Sequence, residues 1–273
     1  MTHAPSHGRA LPAAAYSAST PGRFASSELT RGPWDPAHQH AGPPIALVCR
    51  EIEAAAASHG LGHVARLTAN LLRPVPIGEL AVEVKADYVG RNAGHFSAQL
   101  SAGGKEIARF TALVQRESPL ELPETIPGHP LPMAPRAPED SPPAHFPFAG
   151  KNIGYADLVE TRLAQGAMWQ GPCAVWFRLR HPLVAGEAPS PYARVAVAAD
   201  SGNGISAVLD YERFLFVNSD LTINLLRRPV GEWICLEART ALGSDGGGLA
   251  ESALCDARGF IGRATQSLAV RKR

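Results

Sequence analysis

Between residues 262 and 270 the chain reads GRATQSLAV, with polar and apolar positions in alternation. Gly262, Ala264, Leu268 and Val270 share one face with Gln266, and Arg263, Thr265 and Ser267 share the other. A period of two is that of a strand with one buried face. Strand-like text also fills 80–90 (LAVEVKADYVG) and 233–243 (WICLEARTALG). Each is followed by a Gly-rich turn, RNAG at 91–94 and SDGGG at 244–248, and then by a hairpin, 95–114 and 249–270. The pattern changes at 43–60, PPIALVCREIEAAAASHG, where little is polar beyond Arg50, Glu51 and Glu53. Pro43 and Pro44 suit the first turn of a helix and Gly60 its end, and a helix this apolar is mostly buried.

These elements occur twice. Residues 67–73 read LTANLLR and residues 221–227 read LTINLLR, and in the closing hairpins IARFTALV matches IGRATQSL, with Ile107 opposite Ile261 and Arg109 opposite Arg263. A repeat of this length is a duplicated domain rather than a solenoid. For the helix of the second copy the expectation is DSGNGISAVLDYERF at 200–214, shorter or bent. Between the copies, residues 119–147 hold ten prolines and predict an extended, semi-rigid linker. The expected organisation is a disordered tail at 1–20, one domain at 21–118, the linker at 119–147 and a second domain at 148–273. One buried helix followed by antiparallel strands, written twice, is an α+β pattern of sheets wrapped around helices.

With 45% hydrophobic residues the chain can build a large core. The formal net charge of +1, with acids and bases mixed, leaves no electrostatic footprint for DNA or RNA. No apolar run is long enough to span a membrane. Cys49, Cys173, Cys235 and Cys255 form no CxxC pair and read as small apolar residues of a reducing compartment, which predicts a cytoplasmic protein. Residues 1–27 hold no acid and two arginines, a composition compatible with an organelle transit peptide, but their Ala, Ser and Pro content reads as a disordered tail.

The helix opened by HAGPP, a strand with LLRP and a last strand ending in ATQSL, together with the duplication, resemble the acyl-CoA thioesterase II family. Its members carry two hot-dog domains in one chain. The piece GPWDPAHQHAGPPIAL at 32–47 is similar to one branch of that family, with Ala41 in place of a glycine. The resemblance implies a double hot-dog fold. It implies hydrolysis of an acyl-CoA to a free acid and coenzyme A, with no metal and no organic cofactor. It also implies a catalytic group of Asp220, Thr240 and Gln266 that holds and activates a water. Backbone N–H groups at the helix start, near His40, Ala41 and Gly42, would then receive the thioester oxygen. Two hot dogs in one chain supply the pairing that the fold needs, so a homo-oligomer is optional.

The residues themselves leave alternatives open. Opposite Asp220, Thr240 and Gln266 the first copy has Arg66, Asp87 and Ala112, as expected where one copy keeps a working site, or where the copies simply drift apart. Gln266 is the only large polar group on its apolar face, so it meets a polar partner, either a water or a backbone group. Thr240 suits a structural role on an apolar face, and Asp220 suits a turn after Asn218 and Ser219. As a catalyst, Asp220 would be the general base. His38 and His40 form an HxH pair, which is weak as a metal motif and reads as surface or capping histidines. No GxSxG is present, and GSDGGG lacks the Lys of a phosphate loop. Asp35 and His40 have the spacing of a hot-dog enoyl-CoA hydratase pair, the alternative enzyme. A non-catalytic acyl-CoA binding protein is the alternative outside enzymes.

Overall fold

The computed structural model describes residues 10–123 and 131–273. In the first half a hairpin of β1 (Tyr16–Thr20) and β2 (Arg23–Ser26) leads to helix α1 (Gly42–Ala57). Strands β3 (His63–Leu71), β4 (Glu79–Val89), β5 (Ala93–Ala102) and β6 (Lys105–Gln115) follow. The second half opens with β7 (Pro143–Ala144), the one-turn helix α2 (Tyr155–Leu158), β8 (Val159–Gln165) and β9 (Cys173–Leu179). Helices α3 (Pro191–Ala199) and α4 (Gly202–Ile205) come next. Strands β10 (Phe214–Asn218), β11 (Asp220–Leu225), β12 (Ile234–Leu242), β13 (Gly247–Asp256) and β14 (Gly259–Lys272) complete it.

The two halves share one topology. Neighbouring strands run β2-β4-β5-β6-β3 in the first and β9-β12-β13-β14-β11 in the second, and β3 pairs with β11 to make one continuous antiparallel sheet, of fourteen strands among the described residues. This is the double hot-dog, α+β architecture expected from the sequence. The repeated phrase forms the seam. Thr68 faces Thr222, the equivalent residue of the other copy, and their hydroxyls lie 3.2 Å apart. A two-fold relation between the halves therefore passes between these two threonines.

Helices α1 and α3 are buried together against the sheet, and one hydrophobic core takes in residues of both halves. Their approach is close at Gly42, where a Cβ would lie 2.5 Å from Val197 O. The second helix is not at 200–214, as the sequence reading had it. Ser190 caps it by accepting a hydrogen bond from Ala193 N (3.0 Å), Pro191 occupies its first turn, and Ala199 ends it. Gly202 and Gly204 then tighten the chain into α4, because glycine weakens the continuation of a helix.

Two further expectations change. Strand β1 lies inside the stretch read as a disordered tail, with Ala15 and Tyr16 buried, so ordered chain begins before residue 21. Residues 1–9 lie outside the described residues. The part of the proline-rich stretch after residue 130 lies against the second half, where Arg136 O and Pro138 O accept hydrogen bonds from Trp176 Nε1 and Arg162 Nη1. Residues 124–130 lie outside the described residues.

Candidate active site

The C-terminus of α3 meets the N-terminus of α1, and Asp200 sits at that junction. It caps the C-terminus of α3 and is 4% exposed. One carboxylate oxygen, Oδ2, lies 3.0 Å from His40 Nδ1. The other, Oδ1, accepts from Asn218 Nδ2 at 2.9 Å and from Gln266 Nε2 at 3.5 Å. Burial alone would raise the Asp200 pKa. His40, Asn218 and the Gly42 N–H outweigh it and hold the carboxyl below its ordinary value. His40 is itself fixed by stacking on Tyr155, with ring centroids 3.8 Å apart and planes 4° from parallel. The Tyr155 hydroxyl donates to Val197 O (2.8 Å) and lies 2.9 Å from Ser201 Oγ. Burial, together with the nearby Asp200 charge, pushes its pKa well up and keeps it a neutral phenol.

Gln266 is buried, 2% exposed, on the face predicted by the alternation of its strand. Its Nε2 donates to Asp200 O (3.1 Å) and its Oε1 accepts from Asn203 N (3.0 Å). It therefore locks the turn that carries Asp200 while touching the carboxylate. Gly202 makes room for it, since a Cβ there would lie 2.9 Å from Gln266 Oε1.

The structure does not bring Asp220 to this group. Asn218 pairs with Leu268 on β14 and Thr222 pairs with Thr265, so one extra residue is inserted on this side. Such a bulge reverses which residues face inward. Phe216 and Asn218 face in before it, and Leu221, Ile223 and Leu225 after it. Asp220 falls on the outer face, where Oδ1 accepts from Ser267 N at 2.6 Å. Thr240 is bonded to Ser206 Oγ (2.7 Å), not to Gln266. Asp200 and Asn218, which the sequence did not single out, complete the cluster around Gln266. The signal for Asn218 was the switch of apolar parity between Phe216 and Leu221.

A cavity of about 510 Å³ opens over Asp200 between the two halves. Trp34, Phe146, Phe148 and Trp169 line it with aromatic surface, and Arg73 and Arg271 add positive charge. His40 and Ala41 also border it. Few donors remain at the start of α1. Pro43 and Pro44 have none, His40 N–H donates to Thr30 O (2.8 Å), and Ile45 N–H donates to Ala41 O (3.0 Å). Gly42 N–H is turned towards His40 Nδ1 (3.2 Å) and the Asp200 carboxylate. Among the described residues Ala41 N–H meets no protein acceptor.

Asp35 and His40 do not form a pair. Asp35 Oδ1 accepts from Ala37 N (2.8 Å), and its other oxygen lies 3.5 Å from His38. Among the described residues no group of three or more His, Cys, Asp or Glu side chains is placed to hold a metal.

The profile of the acyl-CoA thioesterase N-terminal domain matches residues 30–115, and that of the C-terminal domain matches residues 138–270. Among solved structures, a Thermobifida fusca protein assigned as a thioesterase II is similar at a TM-score of 0.72 and 17% identity, over 96% of each chain. An acyl-CoA thioesterase II, TesB2, from Mycobacterium marinum superposes at a TM-score of 0.61 and 15% identity, over 94% of this chain and 96% of that one. A hot-dog protein of unknown function from Alicyclobacillus acidocaldarius gives a TM-score of 0.67 at 18% identity, over 96% of each chain. A sequence search of curated proteins finds no match.

Proposed function

The chain belongs to the acyl-CoA thioesterase family, and on that premise we propose that it hydrolyses an acyl-CoA at the cavity over Asp200, with Asp200 as the general base. One observation carries this reading. A buried carboxylate, held in its charged form and fixed by three side chains, lies under an open cavity of about 510 Å³. The role that the family resemblance implied for Asp220 passes to Asp200 in this reading. The resemblance also implied a role for Thr240, and Asn218 takes it as the second group on the carboxylate. Gln266 keeps a positioning role.

The chemistry follows from the placement. A water in the cavity gives its proton to Asp200 as it attacks the thioester carbon. Negative charge develops on the carbonyl oxygen, and the Ala41 N–H at the start of α1 is the donor left to receive it. The tetrahedral intermediate collapses by breaking the C–S bond. The proton held at Asp200 then passes, directly or through His40, to the departing thiolate. Arg73 and Arg271 offer charge to the phosphates of coenzyme A. One chain lines the cavity from both of its halves. Four buried free cysteines fit a reducing compartment such as the cytoplasm.

The test is release of free coenzyme A from short-, medium- and long-chain acyl-CoAs. Wild type is expected to turn over at least one, and Gln266→Ala to lose roughly tenfold, about 1.4 kcal/mol of barrier. Absence of turnover across the panel, with acyl-CoAs still bound, would favour a binding protein instead.

A further inference from the structure

Trp169 stands apart from the other aromatic residues of the cavity. It is the one non-glycine among the described residues with a left-handed backbone, at φ 65°. A bulky side chain rarely occupies that conformation, and such residues cluster at ligand sites. Its backbone is held there by a hydrogen bond from Trp169 N–H to Ile205 O (2.9 Å), at the end of α4. Its ring is enclosed by Tyr211, Phe216 and Phe148, at centroid distances of 5.6, 6.1 and 6.5 Å. The indole N–H is shielded from water and meets no acceptor among the described residues. Folded proteins avoid leaving a buried donor without a partner. Arg66 Nε shares that condition, but Arg66 is not at the cavity, whereas Trp169 borders it.

An unpartnered donor and an unfavourable backbone in one residue of the cavity wall are explained together if the incoming molecule supplies the acceptor. We propose that Trp169 sets substrate choice by donating its indole N–H to an oxygen carried on the acyl chain. The preferred substrates are then acyl-CoAs with an oxo, hydroxy or carboxyl oxygen beyond the thioester, rather than plain alkanoyl-CoAs. Phe148, Leu215 and Val217 give that wall apolar surface, and Trp169 adds to it a donor without a partner among the described residues. The inference rests on the thioesterase reading of the cavity.

The test uses binding rather than turnover. Non-hydrolysable coenzyme A thioethers of equal chain length are compared by calorimetry, one with a plain alkyl chain and a series with a keto oxygen at successive positions. Wild type is expected to bind at least one keto analogue tenfold or more tightly than the alkyl one, about 1.4 kcal/mol. Trp169→Phe is expected to bind the two within about twofold of each other. Equal binding by wild type, or a preference that survives in Trp169→Phe, overturns the proposal. A second readout needs no variant. Of the four tryptophan indole 15N–1H resonances, one is expected to move downfield with the favoured keto analogue and not with the alkyl one. If none does, the proposal falls. Failure of wild type to hydrolyse any acyl-CoA would remove the thioesterase reading and leave these binding results standing.

Discussion

Gln266 and Asp200 show how differently two residues of one site can be read. The glutamine was legible because it is the only large polar side chain on an apolar strand face, and the structure buries it there against the turn 200–203. The aspartate was hidden because the sequence places its helix at 200–214 and the structure at Pro191–Ala199, so Asp200 stands at the start of the expected helix and caps the end of the observed one. The family's aspartate then went to Asp220, and the inserted residue near Ser219 turns that side chain outward. In the sequence that insertion shows only as the switch of apolar parity between Phe216 and Leu221, which is faint where Phe214–Asn218 is almost wholly apolar. The pH dependence belongs to this scale. Asp200 is held below the ordinary carboxylate value of about 3.9, so it is charged throughout the neutral range. Asn218→Ala removes a donor to the carboxylate, so the acid limb of the kcat/KM profile is expected to shift to higher pH, while Thr240→Ala leaves that limb in place. A limb unmoved by loss of Asn218 would separate this hydrogen bond from catalysis.

The elements were more legible than the residues. Alternation located β4, β12 and the closing hairpins, and the HAGPP opening located α1. The paired phrases, Leu67–Arg73 and Leu221–Arg227, identified equivalent strands, but not that the strands would lie side by side. The contact between α1 and α3 is where a small change should be felt. A methyl added at Gly42 meets Val197 O, so Gly42→Ala is expected to lower unfolding free energy by about 1–3 kcal/mol, the usual range for overpacking, read by urea denaturation. The seam has its own titrating group. His63 on β3 lies 3.1 Å from the Tyr192 hydroxyl and 3.2 Å from Leu225 O. Burial lowers its pKa, against the raising effects of Leu225 O and Glu117. The unfolded state then binds more protons than the folded one below about pH 6.5. Stability is expected to fall as pH drops through that region and to level off below the folded pKa of His63. His63→Gln should flatten this slope; an unchanged slope would assign it to other groups.

At the scale of the whole molecule, the duplication gives the cavity walls from two copies of one fold. The cavity lies where the start of α1 meets the end of α3. Farther along the two helices, Tyr192 packs with Cys49, Val64 and Leu225 around a void of only about 10 Å³. The copies share a sheet and a core, and the cavity over Asp200 is lined by residues of both. Because the sheet is continuous through β3 and β11 and the core spans both halves, the described residues of the two halves are expected to unfold in one transition. Intrinsic tryptophan fluorescence and far-ultraviolet circular dichroism should give the same denaturation midpoint. Separate midpoints would show that the halves are independent.

The most direct measurement is coenzyme A release by Asp200→Asn beside Asp220→Asn, with wild type and both variants matched for folded structure. Asp200→Asn is expected to lose about a hundredfold or more in kcat, the usual scale for removing a general base. Asp220→Asn, whose side chain caps Ser267 N on the outer face, is expected to stay within about threefold of wild type. The reverse result, with Asp220→Asn inactive and Asp200→Asn near wild type, would contradict the assignment of the catalytic base.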